Sequence, residues 1–481
     1  MRGFSGHFIA SAVVLTAFAL GCRDVAAPEA NALHVTPDTL TIPWGESRTL
    51  DLASASPGVR WTSSDPSVAV VDDAGRVTAR RGGSAVIRAT DGDRVGEARI
   101  SVELRLAWIS AGYVNTCGAS TTGRLLCWGA PEGLGSNRYQ LSTIPVEAPV
   151  ADSIIAIQLT TPAPQRIVGS SELNPGSAAC ALGMHATYCW GGSTWGETGR
   201  IEGVVRTPAV LAGGPDFSSL SAGRDHFCAL SAAGTGYCWG DDLFGQIGTR
   251  VGLTICPHMA SGSNSGLDFC ATHPLAVDTP LRFTFVSAGA AHTCAIEAAG
   301  QVYCWGNLLG FAQGSTTPFG ATPTPIASSL RFTALAAATS HTCAIAEGGA
   351  VYCWGSNASS QLGLVPADTI SHLATRVDNL PPLIAIDAGD ASTCGLAADG
   401  RAFCWGANDR GQLGDGNIAL ASGPVASAPG LRFVQISVGW RHACGRTLSG
   451  AAYCWGLGTS GQLGSGTTTG SDVPVRVGTP L

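Results

Sequence analysis

Across 481 residues the chain carries 34 acidic and 27 basic side chains, a formal net charge of −7, and every basic residue is arginine. That balance argues against a nucleic-acid partner, because phosphate binding draws on a basic surface. The missing lysine excludes a P-loop lysine, a Schiff-base enzyme and a serine–lysine hydrolase. Glycine at 64 positions is nearly twice its usual share, which points to many tight turns, and the length allows a leader, one small domain and one large one.

Residues 1–21 read as an export leader: Arg2 supplies a short basic start, and Phe8 to Leu20 form an apolar stretch too short to span a bilayer. The end of this stretch, "FALGC", resembles a bacterial lipoprotein signal, with Ala19 where leucine is usual. The resemblance implies that Cys22 becomes the acylated N-terminus and that the only membrane contact is through this lipid anchor. Arg23 follows it in place of aspartate, which by resemblance to Gram-negative lipoproteins implies the outer membrane. The alternative is ordinary secretion, with Cys22 as a spare thiol.

A linker at 22–32 leads into a segment, 33–104, of alternating short strands and turn residues, the pattern of a small β-sandwich. Its residues resemble the bacterial immunoglobulin-like group 2 domain: Trp61 to Val71 carry W-x-S-S-x-P-x-V-A-x-V, Gly75 to Ala79 carry G-x-V-T-A, and Gly83 to Ile87 carry G-x-A-x-I. Such domains are spacers or adhesive modules of exported proteins, and Trp61 is expected in the core.

From residue 105 to 481 the chain is a repeat array. Seven times it runs from a cysteine through nine residues, or once eight, to Cys-Trp-Gly. Each unit reads as strands, because "AVYCW" and "HTCAI" are short, apolar and bounded by glycine, with no sustained helical period. Cysteines ten apart enclose a hairpin loop of odd length. A three-residue loop wants a left-handed residue third, and that place is glycine in all six such units: Gly123, Gly234, Gly300, Gly349, Gly400 and Gly450. The unit with eight intervening residues fits an even loop around Met184 and His185. The two cysteines then face each other about 4.5 Å apart at Cα, near the lower limit for a disulfide. One cross-strand disulfide per unit is therefore expected: Cys117–Cys127, Cys180–Cys189, Cys228–Cys238, Cys294–Cys304, Cys343–Cys353, Cys394–Cys404 and Cys444–Cys454. Cys256 and Cys270, inside an insertion, are expected to pair with each other. A metal site is the rival reading. It is disfavoured because there is no CxxC knuckle and only four units place a histidine two residues before the first cysteine. Such disulfide density implies an oxidising compartment.

These units resemble the regulator of chromosome condensation repeat family, whose members are seven-bladed propellers. The resemblance rests on "CWG", on "GQLG" some eight residues later, and on the histidine before the first cysteine. "GQLG" is intact at Gly411 to Gly414 and Gly461 to Gly464 and close at Gly245 to Gly248 and Ser360 to Gly363. Units one, two and four are degraded. His226, His292, His341 and His442 hold the histidine place, read as buried hydrogen-bonding positions, while Asn115, Ala178 and Ser392 replace it elsewhere. The expected fold is all-β: a seven-bladed β-propeller behind an N-terminal immunoglobulin-like β-sandwich.

Catalytic signals are thin. "GLGTSG" (Gly456 to Gly461) matches a dinucleotide fingerprint only in form, since no helix pattern follows, and there is no HExxH or GxSxG. No enzyme, cofactor or metal is expected. Partners are argued from loops. With strands a to d in each unit, the a–b and c–d connections emerge on one face and the b–c hairpins on the other. Two expansions, Thr160 to Ser177 and Thr249 to His273, both fall on the a–b/c–d face of adjacent blades. Long loops in compact domains carry function, so the candidate binding residues are Thr160, Arg166, Glu172, Asn174, His258, Asn264, Asp268 and His273. The leading expectation is a non-enzymatic, exported scaffold that binds a protein partner. The alternatives are a guanine nucleotide exchange factor for a GTPase, implied by the family resemblance, and a carbohydrate-binding envelope protein. Intact mass of the native protein, before and after reduction, tests export and stapling together: reduction should add two hydrogens per bond, and free thiols throughout would refute both.

Overall fold

The computed structural model describes residues 32–478 except 54–57, 138, 161–177, 202, 257–268, 308–318, 327 and 365–369. Cys22 and the leader lie outside the described residues. Among the described residues every regular element is a strand, apart from one 3-10 turn at Pro131–Leu134.

The first domain is a sandwich of a four-stranded sheet, in the order Thr39–Pro43, Arg94–Glu103, Gly83–Asp91 and Arg60–Ser63, and a three-stranded sheet of Ser47–Thr49, Arg76–Ala79 and Ala69–Val71. A two-stranded ribbon joins His34–Thr36 to Asp51–Ala53. The alternation seen in the sequence is the cause: Ala85, Ile87 and Ala89 point inward from one strand and Ala98, Ile100 and Val102 from its neighbour, meeting Ile42 and Val77. Trp61 packs on this core, partly buried.

Seven further sheets follow, each built from consecutive antiparallel strands. Blade 4 is typical: Phe283–Ala288 innermost, then His292–Glu297, Val302–Asn307 and Phe319–Pro325. Blade 3 adds a fifth strand, Thr254–Ile255, outside Phe269–Ala276. In the six blades with ten-residue cysteine spacing the second and third strands close through a three-residue turn whose third residue has positive φ, from 77° at Gly234 to 86° at Gly349 and Gly450. In blade 2 the turn is the shorter Met184–His185, closed by Gly183 N–H donating to Ala186 O at 2.9 Å. The cysteines of each hairpin are direct partners, and seven disulfides span them with Cα separations of 4.0 to 4.2 Å.

The ring is assembled at the Trp of each CWG. The ladder between the third and fourth strands slips at that residue in every blade. The bulge frees the indole to leave the sheet, and all seven such tryptophans are fully buried. The glycine that follows has φ between 96° and 109° in all seven blades. A Cβ on Gly240 would lie 2.5 Å from Asp225 O, so the corner admits no side chain. From this position the indole N–H reaches a backbone carbonyl of the preceding blade: Trp239 to Glu197, Trp305 to Gln246, Trp405 to Gln361, Trp455 to Gln412, Trp128 to Gln462 and Trp190 to Gly133, at 2.9 to 3.0 Å.

The four histidines complete some of these junctions. His226, His292, His341 and His442 lie 2.7 to 2.9 Å through Nε2 from the hydroxyls of Thr293, Thr342, Thr393 and Thr116 in the next blade. Thr293, Thr393 and Thr116 donate their own proton to the glutamine-place carbonyls of Gln246, Gln361 and Gln462. Their hydroxyls must therefore accept from the ring, which fixes the Nε2–H tautomer. Burial drives these histidines down, to about 3 for His226, His341 and His442 and about 4 for His292, so they are neutral across the physiological range. Where the histidine is absent the threonine is absent too: Asn115, Ala178 and Ser392 precede blades with Ala179, Phe227 and Ala443 in the threonine place.

Nearer the axis, Ser221, Ser287 and Ser437 accept from the N–H of Ala288, Ala337 and Ala111 in the next blade at 2.9 to 3.0 Å. The first strands of all seven blades line a cavity of about 390 Å³. The first domain meets the ring at the hairpin-side ends of blades 1 and 7, with Gly45 against Arg124 and Gly82 against Gly478. The a–b/c–d face is thus on the far side from it. Thr393→Val should destabilise the protein by about 1–3 kcal/mol in denaturant unfolding, because it strands the buried His341 N–H.

Candidate functional site

The two expansions belong to neighbouring blades, and the base of the blade 3 expansion packs on the c–d connection of blade 2. In blade 3 the chain leaves Gly236–Asp241, forms Thr254–Ile255, and returns along Phe269–Ala276, with Thr254 paired to Cys270 and Ile255 to Phe269. Cys256 and Cys270 are bonded across this turn, Cα atoms 5.9 Å apart. Trp195, from the c–d connection of blade 2, packs on that disulfide. Gly196 lies so close to Ala271 and Thr272 that a Cβ would sit 2.9 Å from Ala271 O. Two blades therefore share one loop base.

Thr160 is buried, and its hydroxyl accepts from Ala178 N–H at 2.9 Å and lies 3.2 Å from Ala178 O. It ties the neck of the blade 2 expansion, a correction to its reading as a contact residue: a threonine at the end of an inner strand satisfies backbone before solvent. His273 is exposed on the outermost long strand of blade 3, beside Gly213. Arg166, Glu172 and Asn174, and His258, Asn264 and Asp268, lie outside the described residues. Around the shared base stands an apolar set that sequence reasoning missed: Leu243 is 50 % exposed, Val251 76 %, Ile255 51 % and Phe269 40 %. No local pattern announces it, because each is a single hydrophobic residue in a polar loop. Farther round the same face, Trp440 contacts Tyr113 with ring centroids 4.6 Å apart, and Arg441 lies over Trp440 while paired to Asp409.

Beneath the apolar set lies a buried acidic group. Glu197 occupies the place that Gln246, Gln361, Gln412 and Gln462 hold in other blades: its Oε2 accepts from Trp195 N–H at 2.8 Å, as their Oε1 atoms accept from Phe244, Ser359, Arg410 and Ser460 at 2.7 to 2.9 Å. "GETG" is thus a degraded "GQLG", a signal present in the sequence at Gly196 to Gly199. Burial, then the charge of Asp225, pushes the Glu197 carboxyl up to about 8, and the same two causes push Asp241 up to about 7. Burial pushes Asp242 up to about 6. Arg224 donates through Nε to Asp225 Oδ2 at 2.7 Å and is the cation of the group. At neutral pH Glu197 is a protonated carboxylic acid imitating the glutamine amide. Among the described residues no three His, Cys, Asp or Glu side chains are placed to hold a metal ion.

A folded-state carboxyl held above its unfolded value means that the folded chain binds the extra proton, so stability falls as pH rises from about 4.5 through about 8. Glu197→Gln should remove the Glu197 share of this dependence and leave that of Asp241 and Asp242, raising the melting temperature by several degrees at pH 9 and changing it little at pH 5; thermal scans across that range check it.

The RCC1-like domain model matches residues 176–480, more than half of the chain, and the bacterial Ig-like domain (group 2) model matches residues 31–102. Among solved structures, human WBSCR16 superposes with a TM-score of 0.61 at 18 % identity, over 74 % of this chain and 93 % of that one. Yeast RCC1 (Prp20), solved bound to Kap60, gives 0.58 at 20 % identity, over 73 % and 83 %. Prp20p from Saccharomyces cerevisiae, solved in a study of its binding to Gsp1p and histones, gives 0.53 at 17 % identity, over 69 % and 80 %. These likenesses show the shared propeller fold. With the family signature running from the second strand of blade 2 to the end of blade 7 and the Ig-like signature preceding it, the chain belongs to the RCC1-like domain family.

Proposed function

We propose that this protein is a non-enzymatic scaffold of the cell envelope or extracellular space, which docks a protein partner on the loop face of blades 2 and 3. The observation that carries this reading is the exposed apolar set Leu243, Val251, Ile255 and Phe269 at the base of the blade 3 expansion, which packs on the c–d connection of blade 2 and is held by the Cys256–Cys270 disulfide. Exposed apolar residues on a disulfide-held base, two of them (Ile255 and Phe269) strand partners, are suited to anchor a protein interface. Attachment of the Ig-like domain on the opposite, hairpin side leaves this face open when the N-terminus is tethered. Export supports itself on cysteine usage, since 16 of the 17 cysteines are bonded in pairs. Acylation at Cys22 and residence at the outer membrane belong to the same proposal.

Kap60, bound in one yeast Prp20 structure, and Gsp1p and histones, whose binding accompanies another, are proteins, which supports protein binding as the mode without naming the partner here. The exchange-factor reading rests on that likeness alone. A carbohydrate-binding reading loses its obvious platform, because the seven CWG tryptophans are fully buried.

Cross-linked affinity capture from the source organism tests the proposal, comparing the mature chain with Val251→Asp/Ile255→Asp. The double variant should lose the captured protein, with at least tenfold weaker binding of the purified partner. Unchanged capture moves the site elsewhere, and accelerated nucleotide release from a GTPase would replace this reading with exchange.

A further inference from the structure

Six of the seven blade junctions are joined by the chain itself as it passes from the fourth strand of one blade to the first strand of the next. The seventh is not. Blade 7 ends at Ser471–Arg476, blade 1 begins at Leu106–Ala111, and no strand is exchanged between them. A ring closed without a shared strand or a linker relies on side chains and corners at that seam.

Two sets of contacts gather there. The first is internal to the propeller. Gln435 takes Ile109 in a two-point grip, accepting from its N–H at 3.2 Å and donating to its O at 2.9 Å. Of the matching places in blades 1 to 6, Trp108 holds the next blade by one bond, to Ile157 O at 3.0 Å, and Ala156, Ser219, Phe285, Ala334 and Ala385 cannot make the two-point grip. The second set comes from the Ig-like domain. Trp44 packs on a cluster that joins Leu106, Leu126 and Trp128 of blade 1 to Ala452, Leu463 and Val477 of blade 7. Glu103, the last residue of the Ig-like sheet, lies 3.6 Å from Arg105 ahead of blade 1 and 3.4 Å from Arg476 at the end of blade 7. Gly82 lies so close to Gly478, just past blade 7, that a Cβ would stand 2.5 Å from its carbonyl oxygen.

We propose that the Ig-like domain is the clasp of the ring: by touching both blades at the one junction that lacks a chain linker, it holds the propeller shut. This role is independent of the partner-binding reading, and it makes the domain part of the propeller's stability as well as a spacer. The apolar contact of Trp44 is the main contribution, since ion pairs as exposed as those of Glu103 contribute little.

Hydrogen exchange on the full chain tests this with two variants. Trp44→Ala removes the packing, and Gly82→Val drives a wedge against Gly478. Both should speed exchange in Leu106–Ala111 and His442–Thr447 by about tenfold or more, while His292–Glu297, across the ring, is unchanged. Exchange in Gly83–Asp91 reports whether the Ig-like domain is still folded. The proposal is overturned if the seam stays protected in both variants, whether or not the Ig-like domain has melted, or if exchange rises equally in every blade.

Discussion

At each described blade junction an indole N–H from one blade meets a backbone carbonyl of the blade before it, in a place closed to water. A buried peptide carbonyl without a donor costs on the order of 1–3 kcal/mol, and so does a buried indole without an acceptor, so neither group is tolerated there without the other. The surrounding features follow from that one bond. The bulge aims the tryptophan out of its sheet, the glycine after it lets the corner pass close behind, and the glutamine side chain folds back on its own turn so that its main-chain oxygen points at the ring. Cys-Trp-Gly and Gly-Gln-Leu-Gly are two halves of a single joint, contributed by different blades.

Much of this was legible in the sequence, and the reason is periodicity. Cysteines ten apart with glycine at one fixed place leave a single hairpin register, and the disulfides follow from it. The histidine–threonine partnership was also written there, since a histidine in one unit always accompanies a threonine in the next, but single-chain reading treats units one at a time and the bond lies between units. Glu197 escaped for a similar reason: its meaning depends on alignment with glutamines in other blades. The exposed Val251, Ile255 and Phe269 could not be read at all, because exposure of an isolated apolar residue is decided by how the loop returns over the sheet.

Departures from the repeat are not spread evenly. The junctions without a histidine–threonine pair flank blade 2, on both sides, and separate blades 6 and 7. At the latter, Asp387 stands where four other inner strands have serine: one carboxylate oxygen accepts from Val438 N–H at 2.7 Å and the other from Ala388 N–H at 3.0 Å. The preceding blade has Ala336 in that place and no hydroxyl to offer Ala388, so a single carboxylate serves two backbone groups. At the junction of blades 1 and 2 the bridge is instead Trp108, whose indole N–H donates to Ile157 O at 3.0 Å. The expanded loops thus belong to blades at junctions that lack the histidine–threonine pair and keep the indole–carbonyl bond.

Each of the sixteen paired cysteines is bonded to the cysteine nearest it along the chain, at separations of 9, 10 or 14 residues. Short loops close fastest and at the smallest entropic cost, so the thiol that collides first with any given cysteine is the correct one. Oxidation can then proceed blade by blade in the order in which the chain emerges, each staple locked before a distant competitor arrives. A protein with so many thiols would ordinarily depend on repeated reshuffling of mispaired bonds; this arrangement makes the first bond formed the final one.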